Sequence, residues 1–435
     1  MRLARALERQ TGMTDTPSLL SRGANAIVER RLRRILSLRD FEKAAARKLP
    51  KPIFGYISGA AETNAALEGN QAAFAEIDFV TRVLRDVSNR SLETELLGRT
   101  CSAPFGIAPM GVSSLSDYRG DLALAKAAGA AGIPMVISAA SLIRMEEIAE
   151  AAPGVWYQAY LPPDAADVSA LLKRVAAAGI DTFVITVDSS VVPSRENNVR
   201  NGYKTPLQPN LKLAWDGITH PGWAIGTFLR TFAQHGMPYF ENADAGRGAP
   251  LLSSRAVRDF SGRERLSWAQ VEQVRREWTG KLVLKGILHP QDAIRARDTG
   301  ADAIVVSNHG GRQLDHALSP MRALPGVVAA VPDMPVMIDG GFWRGTDILK
   351  AIGLGAAFVF LGRPFNYAAT VAGQPGVDHA IRILLNELRA DMGMLGLTTI
   401  PEMSAEALSL ARFRCPVTPA SELLQRRAPP IARAT

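Results

Sequence analysis

Through most of the chain, short runs of apolar and β-branched residues alternate with longer stretches whose apolar positions recur at helical spacing. This is the pattern of βα units feeding a parallel sheet. Eight such runs stand out: Phe105–Pro109, Pro134–Ser138, Trp156–Tyr160, Thr182–Val187, Leu282–Lys285, Ala303–Ser307, Pro335–Ile338 and Phe358–Leu361. Eight parallel strands, each followed by a helix, close into a (β/α)8 TIM barrel, whose chemistry gathers at the carboxyl ends of the strands. The expected fold class is therefore α/β, and the residues just past each run are the ones to inspect.

Two segments exceed a minimal barrel. Residues 1–100 read as an N-terminal extension with helices packing on the barrel, around Leu49-Pro50-Lys51-Pro52 and Tyr56-Ile57-Ser58-Gly59-Ala60. The barrel itself is expected over 101–400, with a long loop insertion after strand four at 204–262 and a C-terminal tail at 401–435 that wraps the surface or frays. Structureless connections of that length are commonly functional.

Composition narrows the class. Hydrophobic residues make up 47% and charged ones 21% of the 435 residues, the balance of a soluble globule rather than a disordered chain. No run of about 18 apolar residues suggests a membrane-crossing helix, and the first residues lack the apolar core of a secretory signal. The two cysteines, Cys101 and Cys415, indicate neither a disulfide framework nor a metal site, so a reducing, cytoplasmic setting is expected. The net charge of +8 does not choose between partners. Arg22, Arg30, Arg31, Arg33, Arg34 and Arg39, interrupted by apolar residues at roughly helical spacing, read first as a solvated helix face; a nucleic-acid partner has no other support.

The strongest chemical signal is Ser307-Asn308-His309-Gly310-Gly311-Arg312-Gln313-Leu314-Asp315, beginning where the sixth strand ends. A histidine at a strand terminus, two glycines that let the backbone turn, and an arginine three positions on set a proton acceptor beside an anion clamp. With this string the chain resembles the FMN-dependent α-hydroxy-acid oxidase and dehydrogenase family over roughly residues 38–395. The resemblance implies that His309 is the active-site base and Arg312 a ligand of the substrate carboxylate. It implies that Asp188, ending strand four, hydrogen-bonds that histidine, and that Arg195 is the second cation on the carboxylate. Tyr160 and Tyr56 are implied to point phenols at the substrate.

The same resemblance places FMN at the strand ends. Pro109, Met110, Gly111, Ser138, Gln158 and Thr186 would line its ring, with Lys285 near the reducible end, where a cation stabilises developing negative charge. Asp339, Gly340 and Gly341 after strand seven, with Gly362 and Arg363 after strand eight, match a barrel's usual phosphate site. One position departs from the family pattern: Trp343 stands where an arginine is usual, followed by Arg344. Phosphate binding is then expected to depend on Arg363 and backbone amides. No metal is expected.

Within the family, the chain is most similar to the membrane-associated (S)-mandelate and L-lactate dehydrogenases. Gly111 takes a position beside the flavin that is commonly alanine in the oxidases. Ala140 stands where a bulky aromatic narrows the pocket of short-chain glycolate oxidases. The insertion resembles a membrane-binding segment, mixing Trp215, Trp223, Ile225, Phe228, Leu229 and Phe232 with Lys212, Arg230 and His220, a mixture that suits a headgroup region. These features imply oxidation of an (S)-2-hydroxy acid, mandelate-like or lactate, with electrons passed to a quinone. They also imply peripheral attachment to an anionic membrane surface at the inner face of the cell membrane, and a homotetramer. The alternatives are an oxygen-dependent 2-hydroxy-acid oxidase producing hydrogen peroxide, or a flavin-binding protein without turnover.

Overall fold

The computed structural model describes residues 26, 28–204, 206–207, 211–253 and 262–412. Residues up to Leu36 form a unit of their own, helical over 28–32; Arg22, Cys415 and most of the tail lie outside the described residues.

The remainder is built on eight parallel strands: β1 (Phe105–Ile107), β2 (Val136–Ser138), β3 (Trp156–Ala159), β4 (Thr182–Thr186), β5 (Lys281–Ile287), β6 (Ala303–Val306), β7 (Val336–Asp339) and β8 (Phe358–Leu361). They are hydrogen-bonded in the order β1-β8-β7-β6-β5-β4-β3-β2. The ring closes between β1 and β2 through a parallel bridge, Ile107 to Met135. Each run read from the sequence corresponds to one strand, so the barrel expected from the apolar pattern is the fold observed.

Side chains alternate along a strand, and here the alternation separates two cores. Val136, Trp156, Val184, Val283, Val305, Met337 and Phe358 form one interior cluster. The intervening Ile137, Tyr157, Phe183, Leu284, Ile304, Ile338 and Val359 are equally buried, on the parity that faces the surrounding helices. A hairpin of Thr94–Leu96 and Arg99–Cys101 adds Leu96 and Cys101 to the interior cluster. It sits at the amino ends of the strands, where Arg99 reaches Gly154 O and pairs with Asp181.

Local signals set several helices. Ser267 and Gln270 cap α9 (Trp268–Glu277) reciprocally, and Ser37 with Asp40 does the same for α1 (Leu38–Lys48), satisfying amide groups that a helix start leaves open. After α1 come α2 (Lys51–Ser58), entered through Pro50 and Pro52, and α3 (Ala65–Ala72). The barrel helices are α4 (Gly120–Ala130), α5 (Met145–Ala151), α6 (Ala165–Ala177), α9, α10 (Pro290–Asp298), α11 (Pro320–Ala330), α12 (Gly345–Gly353) and α13 (Arg363–Leu395). The last packs on α1 and α4.

The connection after β4 is helical over most of 211–235 and irregular over 236–253. It holds α7 (Leu211–Thr219), a turn at Pro221–Trp223, a π-helical stretch at Ala224–Leu229 and α8 (Arg230–His235). Its apolar side chains divide into two faces. Leu211, Trp215, Ile218, Ile225 and Leu229 are 56 to 90% exposed; the first three share one side of α7 and the last two, four positions apart, belong to the π-helical stretch. Trp223, read from the sequence as surface-seeking, is instead 2% exposed and donates its indole N–H to Leu115 O at 2.7 Å. Phe228 stacks on Trp223 and on Phe232 and is also turned inward. The Lys212 side chain lies outside what the structure describes.

Asp315 ties the catalytic face to the leader. Its carboxylate accepts from Thr63 N at 2.9 Å, the Thr63 hydroxyl and Ala66 N at 2.8 Å, capping the start of α3. Burial alone would raise its pKa, but the hydrogen bonds from Thr63 and Ala66 hold it well below the usual carboxylate range. Its contribution is therefore complete at neutral pH and fades only as the pH drops beneath the range of free carboxylates. Asp315→Ala, which strands those amides, is expected to cost about 1–3 kcal/mol, read as a lower midpoint of urea unfolding at pH 7. Equal midpoints would show that the cap contributes nothing.

Candidate active site

Two residues beyond the interior members Val136, Trp156, Val184, Val283, Val305 and Met337, the same strand parity presents Ser138, Gln158, Thr186, Lys285, Ser307 and Asp339. All six are buried. The periodicity that fills the barrel with apolar side chains thus makes its upper layer polar. All but Ser307 line the floor of a cavity of about 450 Å³ at the carboxyl ends of the strands, within the roughly 300–1,000 Å³ typical of small-molecule sites.

A chain of hydrogen bonds crosses this floor. Lys285 Nζ lies 3.0 Å from Asp339 Oδ2 and donates to Ser307 Oγ at 2.9 Å. Ser307 Oγ accepts from His309 N at 3.0 Å, and His309 Nδ1 lies 2.8 Å from Asp188 Oδ1. His309 Nε2 faces the Tyr160 hydroxyl at 3.5 Å. Burial lowers the pKa of His309 and outweighs Asp188, which opposes it, while Lys285 and Arg195 lower it further. The ring is neutral at neutral pH, free to take a proton at Nε2. Burial would raise Asp188, but His309 and Lys285 bring it below the ordinary range, so a carboxylate stands ready beside any imidazolium that forms.

His309 occupies the left-handed region, φ 57°, followed by Gly310 at 65° and Gly311 at 77°. A Cβ on Gly311 would lie 2.7 Å from Leu67 N, so that glycine is required by the approach of α3. Asn308 Oδ1 accepts from Gly311 N at 3.1 Å. Its amide is locked face to face with that of Asn70, at 2.8 and 2.7 Å.

Three partly buried arginines line the cavity, and among the described residues their hydrogen bonds go to neutral oxygens. Arg312 donates to Tyr56 O at 2.7 Å and Gly59 O at 2.8 Å. Arg363 donates to Ile57 O and Gly59 O, each at 3.0 Å. Arg195 donates to Arg312 O at 3.1 Å and Gln313 Oε1 at 2.7 Å. Helix α2 thus turns its carbonyl end, the negative pole of its dipole, toward two guanidinium groups. Burial and then the neighbouring Arg312 bring both Arg195 and Arg363 down to about 10. Such a cavity favours anions.

The sequence-predicted residues converge here. Tyr56, Pro109, Met110, Gly111, Ser138, Gln158, Tyr160, Thr186, Arg195, Lys285, His309, Arg312, Asp339, Gly340, Gly341, Gly362 and Arg363 all line the cavity, and Asp188 reaches it through His309. Tyr56 stacks on Tyr203 at 4.4 Å with the Arg312 guanidinium over its ring. Gly111 abuts Ala140: a Cβ there would lie 2.9 Å from that of Ala140. Trp343 lines the cavity under the Arg39 guanidinium, 3.7 Å from its ring centre, while Arg344 is turned away to Glu387 at 3.1 Å.

Several residues of the site were not singled out from the sequence. Ser307 and Gln313 lay within the quoted string without a role. Gln313 also holds Ser189 Oγ at 2.7 Å and Asp188 O at 3.3 Å, so one amide aligns the carboxylate strand and Arg195. Arg263 lines the cavity with its guanidinium 4.3 Å from the Tyr160 ring centre; its setting, Gly262-Arg263-Glu264-Arg265, reads as an ordinary charged turn.

Residues 45–410 match the family described as FMN-dependent dehydrogenase. The L-lactate dehydrogenase of Xanthomonas euvesicatoria pv. vesicatoria (strain 85-10) is 38% identical over 379 residues, 85% of this chain and 95% of that protein. The (S)-mandelate dehydrogenase of Pseudomonas putida is 36% identical over 375 residues, 86% and 94% of the two chains. The crystal structure of a monotopic membrane protein, (S)-mandelate dehydrogenase, superposes with a TM-score of 0.77 at 34% identity, covering 86% of this chain and 99% of that one. The cavity suits FMN on its own terms. Among the described residues, Gln158 Nε2 and Asp339 Oδ1 are buried without a partner, a donor and an acceptor of the kind a flavin ring and its polyol chain would satisfy. Gly340 and Gly341, φ 103° and 91°, offer bare amides for phosphate near Arg363.

The balance at His309 can be read directly by NMR of the ¹³C-labelled histidines, with His309→Gln identifying its signal. The ring is expected to titrate below the ordinary value of about 6.5. In Asp188→Asn, which removes the charge opposing burial, it should titrate lower still. A midpoint that rises in that variant contradicts the reading.

Proposed function

The chain belongs to the family of FMN-dependent dehydrogenases, and from that premise we propose that it oxidises an (S)-2-hydroxy acid to the 2-oxo acid and passes the electrons to a quinone. The observation that carries the reading is the pair of imidazole and carboxylate, His309 and Asp188, set among three arginines bonded to neutral oxygens. Two of these cations, Arg195 and Arg312, would take the substrate carboxylate, and fork-like contacts fix its orientation before any proton leaves. Tyr160 and Tyr56 would hold the hydroxyl. His309 Nε2 takes a substrate proton, and Asp188 stabilises the imidazolium.

When bound, FMN supplies the acceptor for the two electrons leaving the substrate α-carbon. Met110, Gly111 and Pro109 with Ser138, Gln158 and Thr186 would seat its ring, Lys285 would place positive charge at the reducible end, and Asp339 would accept from the polyol. Gly340, Gly341, Gly362 and Arg363 would hold the phosphate, and Trp343 closes that end where a further arginine is not present.

Substrate size is set near Ala140, whose small side chain lines the cavity and leaves room for a mandelate-like as well as a lactate side chain. The exposed stripe Leu211, Trp215, Ile218, Ile225 and Leu229 supports attachment to a membrane surface. So does the cavity mouth, where Val191 and Val192 are each 67% exposed. Among the described residues no helix is long and apolar enough to cross a membrane, and the attachment proposed is peripheral. A homotetramer at an anionic inner membrane face completes the reading.

His309→Gln should retain FMN, seen as unchanged flavin absorbance, while anaerobic bleaching by the hydroxy acid slows about 10²–10⁴-fold; bleaching within tenfold of wild type in stopped flow would rule His309 out as the base. A panel of lactate, mandelate and glycolate identifies the substrate in the same assay. Ile225→Glu with Leu229→Glu should abolish sedimentation with anionic liposomes and leave oxidation with a water-soluble dye within a factor of two or so, because an apolar face lying in the interface cannot carry charge. A doubly substituted protein that still sediments fully refutes the membrane surface.

A further inference from the structure

A second cavity, of about 210 Å³, lies behind the wall of the first. Gly111 and Ala140 line the active-site cavity, whereas Leu115 and Leu142 line the second. From Ala140 to Leu142 is two Cα steps, about 7 Å, so the partition is a single thickness of chain. We infer that this second cavity binds the ring of the lipid-soluble quinone, an assignment that rests on the acceptor reading above.

Size, lining and position agree on that occupant. Apolar cavities of about 150 Å³ accept benzene, so this one admits a substituted six-membered ring. Leu115, Leu142, Phe228 and Phe232 give it apolar walls. Much of the rest of its lining is polar: His235, whose Nε2 lies 2.9 Å from the Tyr118 hydroxyl, Arg119, which pairs with Glu147, and Arg144, Glu241 and Arg247, so the ring would lie on the apolar side with its oxygens toward these groups. The wall opposite the active site is the helical stretch Ala224–His235, whose outer side carries the exposed Ile225 and Leu229. A ligand dissolved in lipid therefore meets the outside of the wall whose inside lines the cavity.

The backbone of the lining is irregular, with a π-helix at Ala224–Leu229 and a left-handed φ at Arg119 (55°). Such conformations cost free energy and gather where a site is being shaped. Oxidation of the hydroxyl-bearing carbon releases two electrons and two protons, and a quinone takes up two of each to become the quinol. The electrons cross the thin partition. Protons from solvent reach the quinone oxygens at the rim through His235, and those taken from the substrate return to solvent through the first cavity.

The test uses the FMN-loaded full chain in detergent micelles, with a decyl-substituted benzoquinone or dichlorophenolindophenol as acceptor. Thr231→Trp, which fills the cavity from α8, should raise KM for the quinone at least tenfold while leaving the dye reaction and anaerobic bleaching by the hydroxy acid unchanged. His235→Ala, at an exposed position, should lower kcat with the quinone alone. If both variants match wild type with the quinone, or lose quinone and dye reactions equally, the cavity is not the acceptor site. A wild-type protein that reduces the dye but no quinone instead removes the acceptor reading itself.

Discussion

The left-handed run of His309, Gly310 and Gly311 is the constraint on which the site depends. For a residue with a side chain that conformation costs of order 1–3 kcal/mol and persists only where surrounding contacts over-determine it. Here the contacts are distributed over the loop: Ser307 Oγ on the His309 amide, Asn308 on Gly311 and Asn70, Gln313 on the Asp188 strand, and Asp315 on the start of α3. Each polar residue of the nine-residue string thereby has a distinct mechanical or chemical task. Relaxing the turn would swing the imidazole away from Asp188 and break the alignment of base, carboxylate and cations together.

Electrostatics then decide what this rigid frame accepts. The floor is neutralised internally, since Lys285 sits between Asp339 and the Ser307 hydroxyl. The walls are not, because among the described residues Arg195, Arg312 and Arg363 lean on carbonyl and amide oxygens. Neutral dipoles satisfy the geometry of a guanidinium without cancelling its charge. The cavity therefore carries an excess of positive potential that a carboxylate and a phosphate would relieve. Burial and that field together hold the His309 imidazole below its ordinary pKa.

Much of this was legible in the sequence, for identifiable reasons. The eight strands announced themselves because β-branched runs are short and the helices between them are not. The string around His309 was legible because its roles are packed into consecutive positions. Asn70, Arg263 and Ser307 were not, since their partners lie far along the chain or their local setting is unremarkable. The insertion was the poorest reading: it was expected as a long loop, yet 211–235 is almost entirely helical. Trp223, Phe228 and Phe232 resemble Trp215 and Ile225 by composition, and only the packing of Trp223 beneath Leu115 O separates an anchor from a surface.

The clamps on the His309 loop span great lengths of chain: Asn70 to Asn308 is a separation of 238 residues, and Thr63 to Asp315 one of 252. Contacts of that reach are intrinsically slow to form, because the intervening chain must first be ordered. During synthesis the leader carrying Asn70 emerges first and finds its partner last, after six strands have been made. The barrel can assemble from its neighbouring βα units while the catalytic turn is still without its support. Competence is thus acquired late, when residues 63–70 meet residues 308–315, and a chain interrupted before residue 315 would hold most of a barrel and none of an enzyme.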